Sequence, residues 1–337
     1  MKLGEIGEFG FIERIVPYGN IRAEGVVKAI GDDCAVISVG GPDHLLVTTD
    51  LLVERVHFLM DWAPAEVIGA KALAVNLSDI AACGGSPLDA FISLAVPDRV
   101  DVAWLDGLYR GMGDMARAFE VNLLGGDTTG SRGDLTINVA VTGRVPRDEI
   151  LFRHTANPGD IIVITGPLGD SGAGLEILLD SPELPSELRQ PLVRAHLEPR
   201  PHVREGRSLA SSDWCTAAID VSDGLSSDLG HLCIDSGLGA VVHEDKIPVG
   251  EALMRAARAL GRDPLDWILN GGEDYVLLAG VKPEMVKSLE DRASDEGWSF
   301  SVIGQFSEGK EMRVVRRDGS IEVFAPGGWD HFREPKE

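Results

Sequence analysis

Acidic residues recur where apolar segments end, each beside glycine, serine or threonine. The instances are GDDCAV (Asp32, Asp33), VTTD (Thr48, Thr49, Asp50), NLSD (Asp79), GGDTT (Asp127), IDVSDG (Asp220, Ser222, Asp223) and GGEDY (Glu273, Asp274). One acid at such a place is a turn former or a helix cap. Six sites in one chain, with hardly any lysine nearby, point to a cation. Carboxylates, hydroxyls and water suit a hard ion such as Mg²⁺, and no histidine–cysteine cluster points to zinc. The segment GGDTTG, residues 125–130, sharpens the point. Its glycines and hydroxyls look like a loop that wraps phosphate, yet a phosphate loop of the familiar kind places a lysine where this one has Asp127. The conflict disappears if Asp127 holds the Mg²⁺ that meets the phosphate, while backbone N–H groups meet the phosphate itself. Two unit charges about 4 Å apart repel by roughly 4 kcal/mol at an effective dielectric of 20. Many acids and a polyphosphate gathered without divalent ions would exceed what a fold can absorb.

Asp79 is the most informative position. Its helix is apolar nearly all round, through Val67, Ile68, Leu73, Val75, Leu77 and Ile80, and is expected to be buried. Asn76 and Asp79, three apart, project from one face of it. An ionised carboxylate there must be paired or bound to metal. Lys71 lies two turns earlier, but helical side chains lean toward the N-terminus, so its reach runs away from Asp79. The expectation is therefore a cation ligand. TGPLGDSGAGLEILL, residues 165–179, is either a phosphate-binding strand–loop–helix or a tight turn with a helix cap; it lacks the G-K-[ST] ending. Arg153 stands where it could reach a phosphate from the domain junction. His57 lies just past the VTTD segment, as a structural or a functional histidine. Trp329 is a core filler or a lid over an aromatic ligand. Nothing resembles a Ser-His-Asp triad or a nucleophilic cysteine in context.

These residues need elements to position them. Strands are expected at HLLVTTDLLV, AFISLAVP and DLTINVAVTGRV, and helices at DWAPAEVIGAKALAVNLSDIAACGG and DVAWLDGLYRGMGDMARAFE. Pro64 suits the first helical turn and Gly84 the stop. VNLLGGDTTG reads as a short strand running into a loop. A turn cluster at Asn157-Pro158-Gly159-Asp160 opens the second half. There DIIVITG, YVLLAGV and FSVIGQF are expected strands, and GDSGAGLEILL turns into a helix. SPELPSELRQP is expected to loop over the surface, and HLEPRPHVREGRSLA to be a connector followed by a helix. CTAAIDVSDGLSSDLGHLCIDSG reads strand, turn, helix; KPEMVKSLEDRASDEG reads helix; RVVRRDGSIEVF reads as a hairpin around Asp318-Gly319. The result is two α/β halves, 1–150 and 151–337.

The chain has 337 residues, 44% hydrophobic and 25% charged, enough to bury a substantial core in two domains. A net charge of −23 repels nucleic acid and anionic membranes, so neither is an expected partner. No span is apolar enough for a bilayer, and the N-terminal segment carries acids where a signal peptide needs an apolar run; a cytoplasmic protein is expected. The four cysteines, Cys34, Cys83, Cys215 and Cys233, form no C-x-x-C pair and read as small buried hydrophobes.

Taken together and in this order, GDDCAV, TTDLLVERVHF, KALAVNLSDIAACGG, GGDTTG, PGDIIVITGPLGDSGAGL, AIDVSDGLSSDLGHL and GGEDY resemble the thiamine-monophosphate kinases, of the aminoimidazole ribonucleotide synthetase superfamily. The resemblance runs from near the start to GGWDHF. It implies an α/β (α+β type) two-domain fold, an N-terminal ATP- and Mg-binding domain whose sheets pair across a homodimer, and a C-terminal domain closing the cleft. It implies transfer of the γ-phosphoryl of ATP to thiamine monophosphate, the last step of thiamine diphosphate synthesis, with several Mg²⁺ ions and no phospho-enzyme. Carried over by motif, the Mg²⁺ ligands are Asp33, Thr48, Thr49, Asp50, Asp79, Asp127, Asp220 and Asp223, with Asp50, Asp79, Asp127 and Asp220 central to catalysis. ATP meets Gly126, Asp127, Arg153 and Ser222, with Tyr109 near the adenine or ribose; thiamine phosphate meets His57, Glu273 and Trp329. The chain departs from the pattern at Arg55, where glycine is usual, at Val276, where an acid is frequent, and at Cys83, where methionine is usual.

Two other classes compete. A sibling synthetase acting on selenide would carry a reactive cysteine close to the N-terminus, and a hydrogenase-maturation relative would end in a cysteine-bearing tail; the sequence shows neither. An acidic protein binding cations only for stability would scatter its acids over exposed faces.

Overall fold

The computed structural model describes residues 2–19, 21–329 and 331–332. Helix α1 (Leu3–Gly19) precedes the first sheet but lies against the second half of the chain, with the Phe9 ring 4.7 Å from that of His231. Then come β1 (Val26–Lys28), β2 (Ala35–Ser38), β3 (Asp43–Val53), α2 (Ala65–Ala82), β4 (Ser86–Pro97), α3 (Val102–Ala118), β5 (Asn122–Ser131) and β6 (Thr136–Pro146). The six strands order as β1-β2-β3-β6-β4-β5. Only β4 and β5 run parallel, joined by the crossover through α3.

Alternation along each strand divides this sheet into two unlike faces. Leu46, Leu52, Ile92, Leu94, Ile137 and Val139 are buried beneath α2 and α3. The alternate residues Thr49, Leu51 and Phe91 are exposed, on a face that nothing else in the chain covers. Helix α3 is held at its start by Asp101, whose carboxylate accepts from Trp104 N at 2.8 Å. It packs on α2 so closely that a Cβ on Gly111 would lie 1.7 Å from the Glu66 carbonyl oxygen.

The second half runs β7 (Ile161–Ile164), α4 (Asp170–Asp180), α5 (Ser186–Leu197), α6 (Val203–Ala210), β8 (Cys215–Asp220), α7 (Leu225–Ser236) and β9 (Gly239–His243). It continues with α8 (Glu251–Leu260), α9 (Pro264–Asn270), β10 (Leu277–Val281), α10 (Val286–Glu296), β11 (Ser301–Ser307), β12 (Met312–Val315) and β13 (Ile321–Phe324). Its sheet orders as β13-β12-β9-β11-β7-β10-β8. Both faces are covered. Ile162, Ile164, Ile219 and Leu278 meet α4, α5, α7, α8 and α9 on one side. Val163, Ala218, Leu277 and Ala279 meet α6 and α10 on the other, where Ala81 and Ala82 of α2 join the same cluster. Helix α2 is therefore shared by both halves, which is why a helix of the first half is apolar all round.

Two expectations are corrected. GGDTTG is not a loop; it continues β5 as a ten-residue edge strand. Gly126, at φ +147°, permits this, because a Cβ there would sit 1.6 Å from the Ile92 carbonyl oxygen. SPELPSELRQP does not stay on the surface either. From Ser186 onward it is the first half of α5, begun after Pro185 and anchored by buried Leu188, Leu192 and His196, one helical turn apart.

Arg55 stands in the turn that follows β3. It sits at φ +66°, the left-handed conformation that favours glycine, with its guanidinium 2.6 Å from Asp134 at the surface. Arg55→Gly is expected to stabilise the fold by about 0.5–1 kcal/mol, the left-handed strain outweighing an exposed ion pair. Urea unfolding measures this; a lower midpoint for the variant would refute it.

Candidate active site

The acids of GDDCAV, VTTD, NLSD and IDVSDG meet where the two halves join. Asp33 comes from the loop between β1 and β2, Thr48 and Asp50 from β3, Asp79 from the last turns of α2, and Asp220 from the end of β8. Carboxylate oxygens of Asp33, Asp79 and Asp220 all lie within 4.8 Å of one another. Short hydrogen bonds fix them: Thr48 Oγ1 donates to Asp79 Oδ2, Ser78 Oγ donates to Asp220 Oδ2 at 2.6 Å, and Arg153 Nη2 donates to Asp33 Oδ1 at 2.5 Å. Asn76, fully buried on the same helix, accepts from Asp50 N at 3.0 Å and so ties α2 to β3.

Three carboxyls of the group, Asp50, Asp79 and Asp220, resist ionisation. Burial pushes Asp220 up to about 8, with the Asp33 charge adding to it and the Ser78 bond opposing. Burial and Asp33 push Asp50 up to about 6. Asp79 is raised well above the carboxylate range by burial and then by Asp50, Asp220 and Asp33. Asp33 Oδ2 is buried and accepts no hydrogen bond among the described residues, and Arg153 Nε is buried with nothing to donate to. An all-oxygen donor set, crowded carboxylates and an orphaned buried oxygen fit a hard divalent cation. The unsatisfied guanidinium N–H fits an anion beside it.

The residues expected to meet the second substrate form an adjoining group. His57 Nδ1 accepts from Val53 N at 3.0 Å, and its ring lies 4.9 Å from that of His331. His331 in turn stands 5.8 Å from the Trp329 ring, edge-on. Trp329 is 46% exposed, so it fills no core. Its backbone N donates to Asp223 O at 3.2 Å, and Glu273 N donates to Ser222 O at 2.7 Å. The loop that carries Asp220, Ser222 and Asp223 thus joins the two groups. Burial is the main force pulling His57 below its ordinary value, and the Glu273 carboxylate opposes it.

Other expected site residues lie apart from the carboxylates within one chain. Asp127 pairs with Ser93 on β4, Ser93 with Asn138 on β6, and Asn138 with Leu51 on β3, all on the open face. Thr49 shares that face, with its Oγ1 accepting from Asn138 Nδ2 at 2.8 Å. Asp50 is on the opposite face, three strands from β5, on the order of 14 Å at the usual strand spacing. Gly126 precedes Asp127 on the exposed edge. Tyr109 is half-exposed on α3, lining a surface cavity of about 440 Å³ with Asp106, Arg110, Gly113 and Arg117.

The open question about residues 165–179 is resolved toward a helix cap. Gly169 N and Ser171 N, at the start of α4, donate to Asp274 at 2.9 and 3.3 Å, so a protein carboxylate already occupies that helix start. Val276, where an acid is frequent, is 4% exposed and packs in the core of the second half. Lys71 does not pair with Asp79; it reaches Glu273 Oε2 at 2.9 Å. Two supporting residues go unnoticed in the sequence. Ser78 is masked by its neighbour Asp79. Asp228 accepts from Asp223 N and Gly224 N at 3.2 and 3.1 Å and shapes the turn before α7; its distance from Asp223 along an expected helix was the available signal.

Two lobes with an acidic junction, one sheet open and one covered, define a class of protein. Residues 31–145 match the family model "AIR synthase related protein, N-terminal domain", and residues 157–317 match "AIR synthase related protein, C-terminal domain". A thiamine-monophosphate kinase of Salmonella typhimurium is 40% identical over 331 residues, covering 98% of this chain and 99% of that protein. The structure described as AaThiL complexed with AMPPCP and TMP superposes with a TM-score of 0.85 at 33% identity, over 98% of this chain and 99% of that one. The crystal structure of thiamine monophosphate kinase from Aquifex aeolicus gives 0.80 at 30% identity, over 97% and 100%. Within the AIR synthase related proteins, the chain belongs to the thiamine-monophosphate kinase family.

The raised carboxyls carry a pH signature. A carboxyl whose folded value exceeds its ordinary 3.8 holds its proton longer in the folded state, so stability falls as pH rises from about 4 through about 8. A bound divalent cation reverses this by favouring the ionised form. MgCl₂ is therefore expected to raise Tm more at about pH 8.5 than at about pH 5.5. Equal shifts in thermal melts at the two pH values would count against a metal site built from these groups.

Proposed function

We propose that this protein transfers the γ-phosphoryl group of ATP to thiamine monophosphate, giving thiamine diphosphate and ADP, in the cytoplasm where ATP is available. The observation that carries the reading is the junction of two groups: a carboxylate cluster with a buried guanidinium, and beside it the His57–Trp329–Glu273 group. The relatives' names and the AMPPCP–TMP complex support ATP and thiamine monophosphate as the two substrates.

Asp33, Thr48, Asp50, Asp79, Asp220 and Asp223 would hold Mg²⁺ ions. Bound there, Mg²⁺ supplies charge neutralisation and polarisation of the transferring phosphoryl group. Arg153, already held by Asp33, presents its free Nε–H to a phosphate oxygen, and Ser222 stands on the loop between the groups. A terminal phosphate oxygen of thiamine monophosphate attacks the γ-phosphorus, and the bond to the β,γ-bridging oxygen breaks, its electron pair leaving with ADP. The acceptor oxygen is ionised at neutral pH, so the chain needs no strong general base, and the site holds none poised on the acceptor. His57 and Glu273 orient thiamine phosphate, and Trp329 offers its face to the cationic thiazolium. Orientation and charge complementarity are what phosphoryl transfer asks of a protein.

We assign the open face of the first sheet to a second copy of this chain. Exposed Leu51 and Phe91 lie on it, and β5 at its edge has no neighbour on one side. In such a dimer Thr49, Gly126 and Asp127, on the joined face and at its edge, lie beside the partner, so Asp127 need not cross its own sheet. The geometry within one chain supports this reading, because Asp127 and Asp50 occupy opposite faces.

Assay of ATP with thiamine monophosphate, thiamine and aminoimidazole precursors in parallel tests the substrate: ADP is expected only with thiamine monophosphate. His57→Ala is expected to raise KM for thiamine monophosphate more than KM for ATP; equal effects would remove its substrate role. Asp79→Asn and Asp127→Asn should each abolish turnover with the fold intact. Refolded together in equal amounts, they should recover about a quarter of wild-type activity, since half the dimers are mixed and each mixed dimer holds one intact site. No recovery would place Asp79 and Asp127 in the same chain's site.

A further inference from the structure

A buried charge network joins the two halves behind Glu273. Lys71, 2% exposed, projects from α2 and spends its ammonium on three acceptors: His196 O at 2.9 Å, Glu273 Oε2 at 2.9 Å and His196 Nε2 at 3.4 Å. His196, on α5 and 1% exposed, points its Nδ1 at the same Glu273 Oε2, 3.0 Å away, and lies 3.2 Å from Ser171 Oγ. Trp62 stacks edge-on against its ring at 6.1 Å. All of this holds one oxygen. Glu273 Oε1 takes no hydrogen bond among the described residues, and the side chain keeps 22% of its surface open. The Glu273 backbone is at φ +55°, a conformation that persists only where the surroundings enforce it.

We propose that Lys71, together with His196, is a positioning pair that fixes the Glu273 carboxylate, ionised and correctly aimed, against the cationic ring of the thiamine substrate. The inference rests on the thiamine-monophosphate reading and assigns specificity to a residue outside the substrate's reach. A buried carboxylate with no partner takes up a proton rather than remain charged. Lys71 prevents this, and the Lys71 charge and the His196 bond hold Glu273 far below the carboxylate range against its burial. His196 is kept neutral by burial and by Lys71, so it can donate from Nδ1 while Nε2 faces the ammonium. Lys71 and His196 thereby favour the ionised form of Glu273, which suits a ligand whose thiazolium charge cannot be titrated away. A network made only to glue the halves together would not need to leave one carboxylate oxygen without a hydrogen bond among the described residues on a side chain that keeps 22% of its surface open.

The test compares wild type, Lys71→Met, Glu273→Gln and the double variant Lys71→Met/Glu273→Gln, with KM for both substrates measured across acid to neutral pH. Lys71→Met is expected to raise KM for thiamine monophosphate about tenfold or more with KM for ATP within about twofold, and to make the former worsen as pH falls, as Glu273 gains a proton. The double variant leaves no buried charge unpaired, which keeps the comparison available if Lys71→Met alone does not fold. Its KM should match that of Glu273→Gln within about twofold, because Lys71 acts through Glu273. A further loss in the double variant, or an equal rise in both KM values without a pH dependence, would overturn the proposal. A wild-type protein that phosphorylates no thiamine monophosphate would instead overturn the underlying reading.

Discussion

The structure depends on holding several carboxylates together in a buried place, where burial and their neighbours make Asp50, Asp79 and Asp220 resist ionisation. Like charges within 4.8 Å and away from bulk water repel strongly. The fold keeps them there because three of the four sit on regular elements, and Asp33, on the loop between β1 and β2, is tied down by Arg153. Asp50 is on a strand paired along its length, Asp79 is on a helix packed on all sides, and Asp220 closes β8, the edge strand of the second sheet, paired there with Leu277 of β10. The free energy for this confinement comes from the apolar surfaces around it, chiefly the faces of α2.

Helix α2 is the shared element. It lies on the first sheet, against α3, and its last turn enters the apolar cluster of the second half. Its polar residues are distributed accordingly. Asn76 braces β3, Ser78 braces β8, Asp79 faces the cleft, and Lys71 reaches into the second half toward Glu273. One helix thus sets the spacing between the metal-side and the substrate-side groups. The close approach at Gly111 removes freedom of α3 to slide along it.

Much of this was legible in the sequence, for physical reasons. The apolar circumference of residues 65–82 announced a helix buried on every side, and the acid within it stands at the junction where Asp79 meets Asp33 and Asp220. Strand alternation around Thr48 and Asp50 was plain. What misled was local composition. Glycines and threonines in GGDTTG suggested a loop, whereas pairing with β4 carries the strand straight through them. Prolines in SPELPSELRQP suggested surface chain, whereas Leu188, Leu192 and His196 repeat at a helical interval. The partner of Lys71 was beyond reach, since Glu273 lies 202 positions away and only the packing of the two halves brings them together. The face on which Asp127 lies likewise requires the register of four strands, and no spacing within the chain encodes it.

The uncovered edge of the first sheet has a consequence for the nascent chain. β5, bonded to β4 on one side, turns the outward-pointing backbone groups of its ten residues to any extended segment that drifts by. Those residues include no large side chains from Gly125 to Ser131 to discriminate among comers. The net charge of −23 provides discrimination of another kind. Mutual repulsion slows random encounters between newly made copies, and only a docking geometry that brings counter-ions or good apolar contact with it overcomes that barrier. The acidity of the chain thereby acts as colloidal protection for an open sheet edge.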